Sequence, residues 1–232
     1  MSYPSAPHPE DGEVGVAVIG AGYWGPNLIR NFLACPDTWL WSVCDLDLDR
    51  ARKVVGKRTS LHVTDDLDDI LADPRIEAIA IATPAATHLP IALAAIAAGK
   101  HILVEKPLAL CLEDARAIAE AADAAGLVAM CDHTFCYTPS VNRIRSEIAD
   151  GNLGRIQYVD SVRINLGLVQ PDTDVFWDLL PHDLSILDSV LPPGTTPLAV
   201  SAVGVDPIGA GKACVGYVSI LLPDDAIAHV HV

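Results

Sequence analysis

The stretch VAVIGAGYWGPNLIRNF, Val16 to Phe32, decides the fold. Four apolar residues, three of them β-branched, run into Gly20, Gly22 and Gly25 at G-x-G-x-x-G spacing, and apolar residues at helical spacing follow. A strand, a glycine turn and a helix in that order open a βαβ unit built to hold a dinucleotide. The first glycine permits the tight turn, the second lets backbone approach a pyrophosphate, and the third lets helix and strand pack closely. The helix start offers free N–H groups and the positive end of its dipole to the phosphates. Pro26 falls in the first helical turn, where its missing N–H is harmless.

Outward from this turn the rhythm repeats. Strand-like runs TWLWSVC, SLHV, IEAIAIAT, HILVE and LVAMC alternate with the amphipathic stretches LDRARKVVG, DDLDDILAD, HLPIALAAIAAG and LEDARAIAEAADAAG. Such alternation calls for a parallel sheet covered by helices on both faces. A doubly wound α/β domain, a Rossmann domain, is therefore expected over residues 13–131, after a loose tail at 1–12. From residue 132 one helix, SVNRIRSEIADG, leads to RIQYVDSVRINLG, a short helix PHDLSILDSVL, and then PLAVSAVGVDP, ACVGYVSILLP and AIAHVHV without helices between them. That pattern predicts an α+β domain with an open, mostly antiparallel sheet over 132–232. The last run stops in mid-strand, so this domain is read as incomplete and the sequence as partial.

Composition narrows the function. Asp and Glu number 30 against 15 Lys and Arg, a net charge of −15 that repels a phosphate backbone, so nucleic acid is excluded as a partner. No apolar run approaches the roughly 20 residues that span a bilayer, and the tail lacks the layout of a signal peptide; a cytoplasmic protein is expected. The six cysteines form no C-x-x-C pair, which suits reduced thiols rather than a metal site.

The chemistry is sought beyond the carboxyl ends of the strands, where open α/β sheets bind ligands. Asp45, twenty residues after Gly25, stands where a carboxylate reads the ribose 2′-hydroxyl and repels a 2′-phosphate, favouring NAD over NADP; it also suits an N-cap. Asp47 suits either the ribose or solvent. Thr83-Pro84 with His88 follows the fourth strand, and Glu105-Lys106-Pro107 follows the fifth. His88 is either a helix-start residue or a ligand contact, and Glu105-Lys106 either a solvated ion pair or a rigidly held reactive amine. X-Pro is the one linkage where a cis bond is cheap, and such a bond would lock the backbone that aims the lysine.

Gly20-Ala21-Gly22-Tyr23-Trp24-Gly25, Thr83-Pro84 with His88, Glu105-Lys106-Pro107 and the later WDLLPHDLSIL together resemble the Gfo/Idh/MocA family of NAD(P)-dependent oxidoreductases acting on sugars and cyclitols. The resemblance runs from about Val14 to the end. It implies that Gly20, Gly22, Tyr23, Trp24, Gly25, Asp45, Thr83, Pro84, His88 and Glu105 hold NAD. It further implies that Lys106, Asp178 and His182 are catalytic. His182 falls in the first turn of a helix expected to begin near Pro181 and to bury Leu184, Leu187 and Leu191. There the dipole disfavours the imidazolium, and the ring can take a hydroxyl proton while Lys106 polarises the oxygen. Many relatives carry glycine where Pro181 stands. Ser161, Arg163 and Asn165 share one strand face that suits sugar hydroxyls, with Arg163 fitted to a carboxylate or phosphate, or else faces solvent. Tyr137 and the loop LVQPDTDVFW are candidate pocket walls, and Lys106 and His182 also touch substrate in this reading. The expected activity is hydride transfer between NAD(H) and a ring hydroxyl or ketone of a sugar, nucleotide sugar or cyclitol. The alternative is a non-catalytic NAD-binding sensor on the same fold. A homo-oligomer assembled through the second domain's sheet is also expected.

Overall fold

The computed structural model of the chain describes residues 12–58, 61–165, 169–170 and 173–232, in two compact units, Met1–Asp132 and His133–Val232. Residues 1–11 of the expected tail lie outside the described residues. In the first unit, β1 (Val14–Ile19), β2 (Thr38–Cys44), β3 (His62–Thr64), β4 (Ala78–Ile81), β5 (His101–Glu105) and β6 (Ala129–Asp132) form one parallel sheet in the order β3-β2-β1-β4-β5-β6. Between them run α1 (Gly25–Ala34), α2 (Leu48–Val55), α3 (Leu67–Ala72), α4 (His88–Ala97) and α5 (Leu112–Ala125).

The side-chain alternation of a strand explains the two layers. Val16 and Val18 pack with Leu28, Ile29, Ala51 and Val55 of α1 and α2, whereas Ala17 and Ile19 pack with Ile70, Ala92, Ile96 and Ile118 of α3, α4 and α5. With both faces buried, β1 reads as an unbroken apolar run. Asp47 and Asp66 cap α2 and α3 by accepting from the N–H groups of Arg50 and Asp68. The strand order reverses between β1 and β4. There the Gly20 N–H donates to the Cys44 carbonyl (2.8 Å) and the Ala82 N–H to the Ile19 carbonyl (2.7 Å), holding the strand ends on either side of the crevice where such sheets bind ligands.

The second unit contains α6 (Pro139–Ala149), β7 (Tyr158–Val162), α7 (Val175–Asp178), α8 (Leu180–Val190), β8 (Ala199–Val205), β9 (Val215–Leu221) and β10 (Ile227–His231). Its sheet has the order β7-β10-β9-β8; β10 lies parallel to β7, and the other two pairings are antiparallel. The expected strand RIQYVDSVRINLG is shorter than its sequence suggests, and residues 166–168 lie outside the described residues. One sheet face is covered: Val218, Ile220, Ala228 and Val230 pack with Val175, Leu180 and Leu187. Phe176 lies over the cross-strand pair Gly204 and Gly216, where an added Cβ would stand 2.7 and 2.5 Å from its ring carbons. The opposite face leaves Tyr158, Val162, Val203, Tyr217, Leu221 and Ile227 exposed.

The buried face of α8 corrects the expectation. Leu180, Asp183, Leu187 and Val190 are buried and Leu184 is exposed. The stripe at i, i+3, i+7 and i+10 faces the sheet, and one of its four members is a carboxylate, which hides the register from a reading of leucines alone. Among the described residues no helix is long and apolar enough to cross a membrane, no His, Cys, Asp and Glu cluster is placed to hold a metal, and the six cysteines are free thiols.

Candidate active site

The three glycines of the first turn do different work. Gly20 has φ +97°, and a Cβ there would stand 2.6 Å from the Ala82 carbonyl oxygen. A Cβ on Gly25 would stand 2.0 Å from the oxygen of Gly20, so the first and third glycines let the turn fold against β4 and on itself. At Gly22 an added Cβ would meet nothing within 4 Å. The backbone there faces open space at the start of α1, the approach a pyrophosphate requires. Tyr23 and Trp24 are exposed beside it. This cradle fits a dinucleotide.

Asp45, buried just beyond β2, is tied down on both oxygens. Its Oδ2 accepts from the Ala21 N–H (2.6 Å) and Arg50 Nε (3.3 Å), and its Oδ1 accepts from the Asp47 N–H (2.8 Å) and Arg50 Nη2 (2.6 Å). Burial alone would raise its carboxyl, but the Arg50 guanidinium and the two backbone donors hold it below the ordinary range. The N-cap of α2 is Asp47, not Asp45. Asp45 therefore anchors the glycine turn through Ala21, and a ribose hydroxyl would share its oxygens with Arg50. Arg50 is the residue that sequence reasoning missed here; its position in the first turn of α2, five residues after Asp45, was the available signal.

Beyond β4, Thr83 and Pro84 begin a 3-10 turn, and the Thr87 hydroxyl donates to the Pro84 carbonyl (2.7 Å). The ring of His88, 1% exposed, lies between the Pro107 carbonyl (Nδ1, 2.9 Å) and the Thr83 carbonyl (Nε2, 3.0 Å). Both nitrogens face backbone, so the expectation that His88 touches cofactor is corrected: it joins the loop after β4 to the loop after β5. The Lys106-Pro107 bond is cis. Glu105, expected at the cofactor, is also turned inward. It is buried beside its register neighbour Asp132 on β6. Burial, then the Asp132 charge and its hydrogen bond, push the Glu105 carboxyl up to about 8. Burial and the same two carboxyls push the neighbouring Cys131 thiol up to about 12. Half-buried Lys106 follows at the strand end.

In the second unit, Asp178 closes α7 and His182 lies in the first turn of α8, four residues on. The ring of Phe135, in the 3-10 turn Thr134–Tyr137, meets the His182 ring at 79° with centroids 4.9 Å apart. The expected sugar-reading face of β7 is corrected in part. The Ser161 hydroxyl donates to Asp183 Oδ1 (2.6 Å), and Arg163 Nε and Nη2 donate to the Asp183 carboxylate (2.6 and 3.3 Å). That carboxylate is 3% exposed, and burying it requires a cation and several donors. Sequence reasoning passed over Asp183 because it adjoins the more conspicuous His182. Asn165 is exposed and lines an apolar cavity of about 360 Å³ together with Gln170, Thr173 and Asp178. Tyr137 is 64% exposed. Leu168, Pro171 and Asp172 of the candidate wall LVQPDTDVFW lie outside the described residues.

The family profile described as an oxidoreductase family with an NAD-binding Rossmann fold, Gfo/Idh/MocA, matches residues 14–133. The chain belongs to this family. The Gfo/Idh/MocA chain is 32% identical over 191 residues to UDP-N-acetylglucosamine 3-dehydrogenase of Acidithiobacillus ferrooxidans, an alignment covering 81% of this chain and 57% of that one. It is 29% identical over 171 residues to levoglucosan dehydrogenase of Pseudarthrobacter phenanthrenivorans, covering 70% and 44%. Among solved structures, GenD2 from gentamicin A biosynthesis in complex with NAD superposes with a TM-score of 0.84 at 32% identity, covering all of this chain and 68% of that one. The chain spans about half the length of the curated relatives it matches.

Proposed function

We propose that this Gfo/Idh/MocA protein transfers a hydride between NAD(H) and a ring hydroxyl or ketone of a sugar, nucleotide sugar or cyclitol. The observation that carries the reading is the Gly20–Gly25 turn, whose middle glycine opens to a ligand while the outer two are closed by backbone. The turn and Asp45 would hold NAD, with Tyr23, Trp24, Thr83 and Pro84 around it, and the bound nicotinamide would supply the hydride acceptor or donor. Asp45 disfavours a 2′-phosphate, so NAD is the cofactor proposed over NADP. Lys106 polarises the substrate oxygen with its ammonium. His182 takes the hydroxyl proton on a ring nitrogen in oxidation and returns it in reduction, with Asp178 supporting it. General base help of this kind contributes about 10²–10⁴-fold. Tyr137 and Asn165 are the proposed sugar contacts; the named activities of the two curated relatives, one on a nucleotide sugar and one on an anhydrosugar, support that class.

The second unit is proposed as the substrate-binding and oligomerisation domain. The exposed apolar face around Val203, Tyr217 and Ile227 suits pairing with a second copy of the chain.

Reduced-nicotinamide absorbance, screened against uridine and thymidine diphosphate sugars, aldoses and inositols, tests the proposal. Lys106→Ala and His182→Ala should each abolish turnover with NAD affinity unchanged; turnover at the wild-type level in both would overturn the residue roles.

A further inference from the structure

Asp183, Arg163 and Phe135, well separated in sequence, stand in a continuous series of contacts that ends at His182. Asp183 accepts two hydrogen bonds from Arg163, one from Nε and one from Nη2, so the plane of the guanidinium is set by the carboxylate. Ser161 holds the same carboxylate from a third direction. The guanidinium so fixed lies 4.2 Å from the centroid of the Phe135 ring, in the cation–π range. The Phe135 ring in turn meets His182 nearly at right angles, the arrangement in which a ring edge addresses a ring face.

The helix geometry explains why such a detour is needed. His182 and Asp183 are consecutive on α8, about 100° apart around its axis, so their side chains leave the helix in different directions. Asp183 points to the sheet, where it is buried, and His182 reaches the turn that carries Phe135. Arg163 spans the gap, with its guanidinium both on Asp183 and over the Phe135 ring. Lysine would neutralise Asp183 equally but offers no planar fork to set a stacking plane.

We infer that Arg163 and Phe135 are positioning residues, with Asp183 as their anchor, that fix the orientation of the His182 imidazole, and that Arg163 serves the reaction from behind Phe135 without touching a ligand. The functional meaning of the relay rests on the reading of His182 as the proton acceptor; its physical existence does not.

The test is a two-dimensional ¹H–¹³C NMR spectrum of the histidine ring protons of the full chain, without NAD or sugar. His182→Gln assigns the resonance. Phe135→Leu should move the His182 ring signals, because the aromatic ring current on them is lost, and Phe135→Tyr should return them close to the wild-type positions. Arg163→Lys keeps the charge beside Asp183 and so preserves the fold, yet it should also move the His182 signals, although the ring that meets His182 belongs to Phe135. That transmitted change is the signature of the relay. His182 signals indifferent to Arg163→Lys while sensitive to Phe135→Leu would overturn the inference, as would signals that Phe135→Tyr fails to restore. Once a substrate is found in the absorbance screen, Arg163→Lys should lower kcat by about ten- to a hundredfold, the loss a small misplacement of a reacting group causes, with KM little changed. Intact NMR coupling in a wild-type chain without dehydrogenase activity would sink the functional reading and leave the relay standing.

Discussion

Glu105→Gln should remove a pH dependence of stability that the wild-type chain carries in its first unit. Glu105 is 9% exposed, and its carboxyl is pushed up from 4.5 to about 8, first by burial and then by Asp132. A carboxyl whose folded value lies above its unfolded one stabilises the protonated fold. That stability is fully present below about pH 4.5 and is lost as pH rises toward 8, because the unfolded chain releases the proton while the folded one retains it. Every tenfold difference in proton affinity between the folded and unfolded chains corresponds to about 1.36 kcal/mol, so the contribution has an upper bound of about 5 kcal/mol. Glutamine imitates the protonated acid, since its amide can still donate to Asp132, and it does not titrate. The variant should therefore lie within about 1 kcal/mol of the wild type near pH 5 and exceed it by about 4 kcal/mol near pH 8. Hydrogen exchange of the amides of β5 and β6, corrected for intrinsic rates, reads the opening free energy of this sheet without mixing in the second unit. Asp132→Asn should flatten the slope only in part, because burial of Glu105 remains. Parallel stability curves for wild type and Glu105→Gln between pH 5 and 8 would refute the reasoning.

Gly22→Ala and Gly25→Ala separate binding from folding: the first meets no protein atom and should abolish NAD binding by calorimetry at unchanged melting temperature, whereas the second strikes the Gly20 oxygen and should unfold the turn and lower the melting temperature. Asp45→Ala leaves the buried Ala21 N–H without its acceptor; it should lose both NAD affinity and about 1–3 kcal/mol of stability in urea titrations. Val203→Lys, on the exposed face of β8, should turn an assembled species into a lighter one in sedimentation velocity, and an unchanged sedimentation coefficient would remove that face from the proposed assembly.

The amino-acid sequence alone determined the parts of this protein whose physics is local. Gly20, Gly22 and Gly25 at their spacing dictate a strand–turn–helix, and the alternation of apolar runs with amphipathic stretches dictates a covered parallel sheet, because each element must bury its own apolar residues. The lack of intervening helices after residue 191 likewise announced a sheet with antiparallel pairings. Tertiary structure decided how polar side chains are used. His88 reads as a ligand contact until its ring is found between two carbonyls, and Glu105 reads as a strand-end charge until β6 sets Asp132 beside it. Arg163 reads as a substrate clamp until α8 brings it a buried aspartate. In each case a deciding partner, Pro107, Asp132 or Asp183, is 19 to 27 residues away in the chain. A charged group or imidazole carries no periodicity to announce which partners it will meet, so its role is settled only when the fold removes it from water and sets particular neighbours beside it.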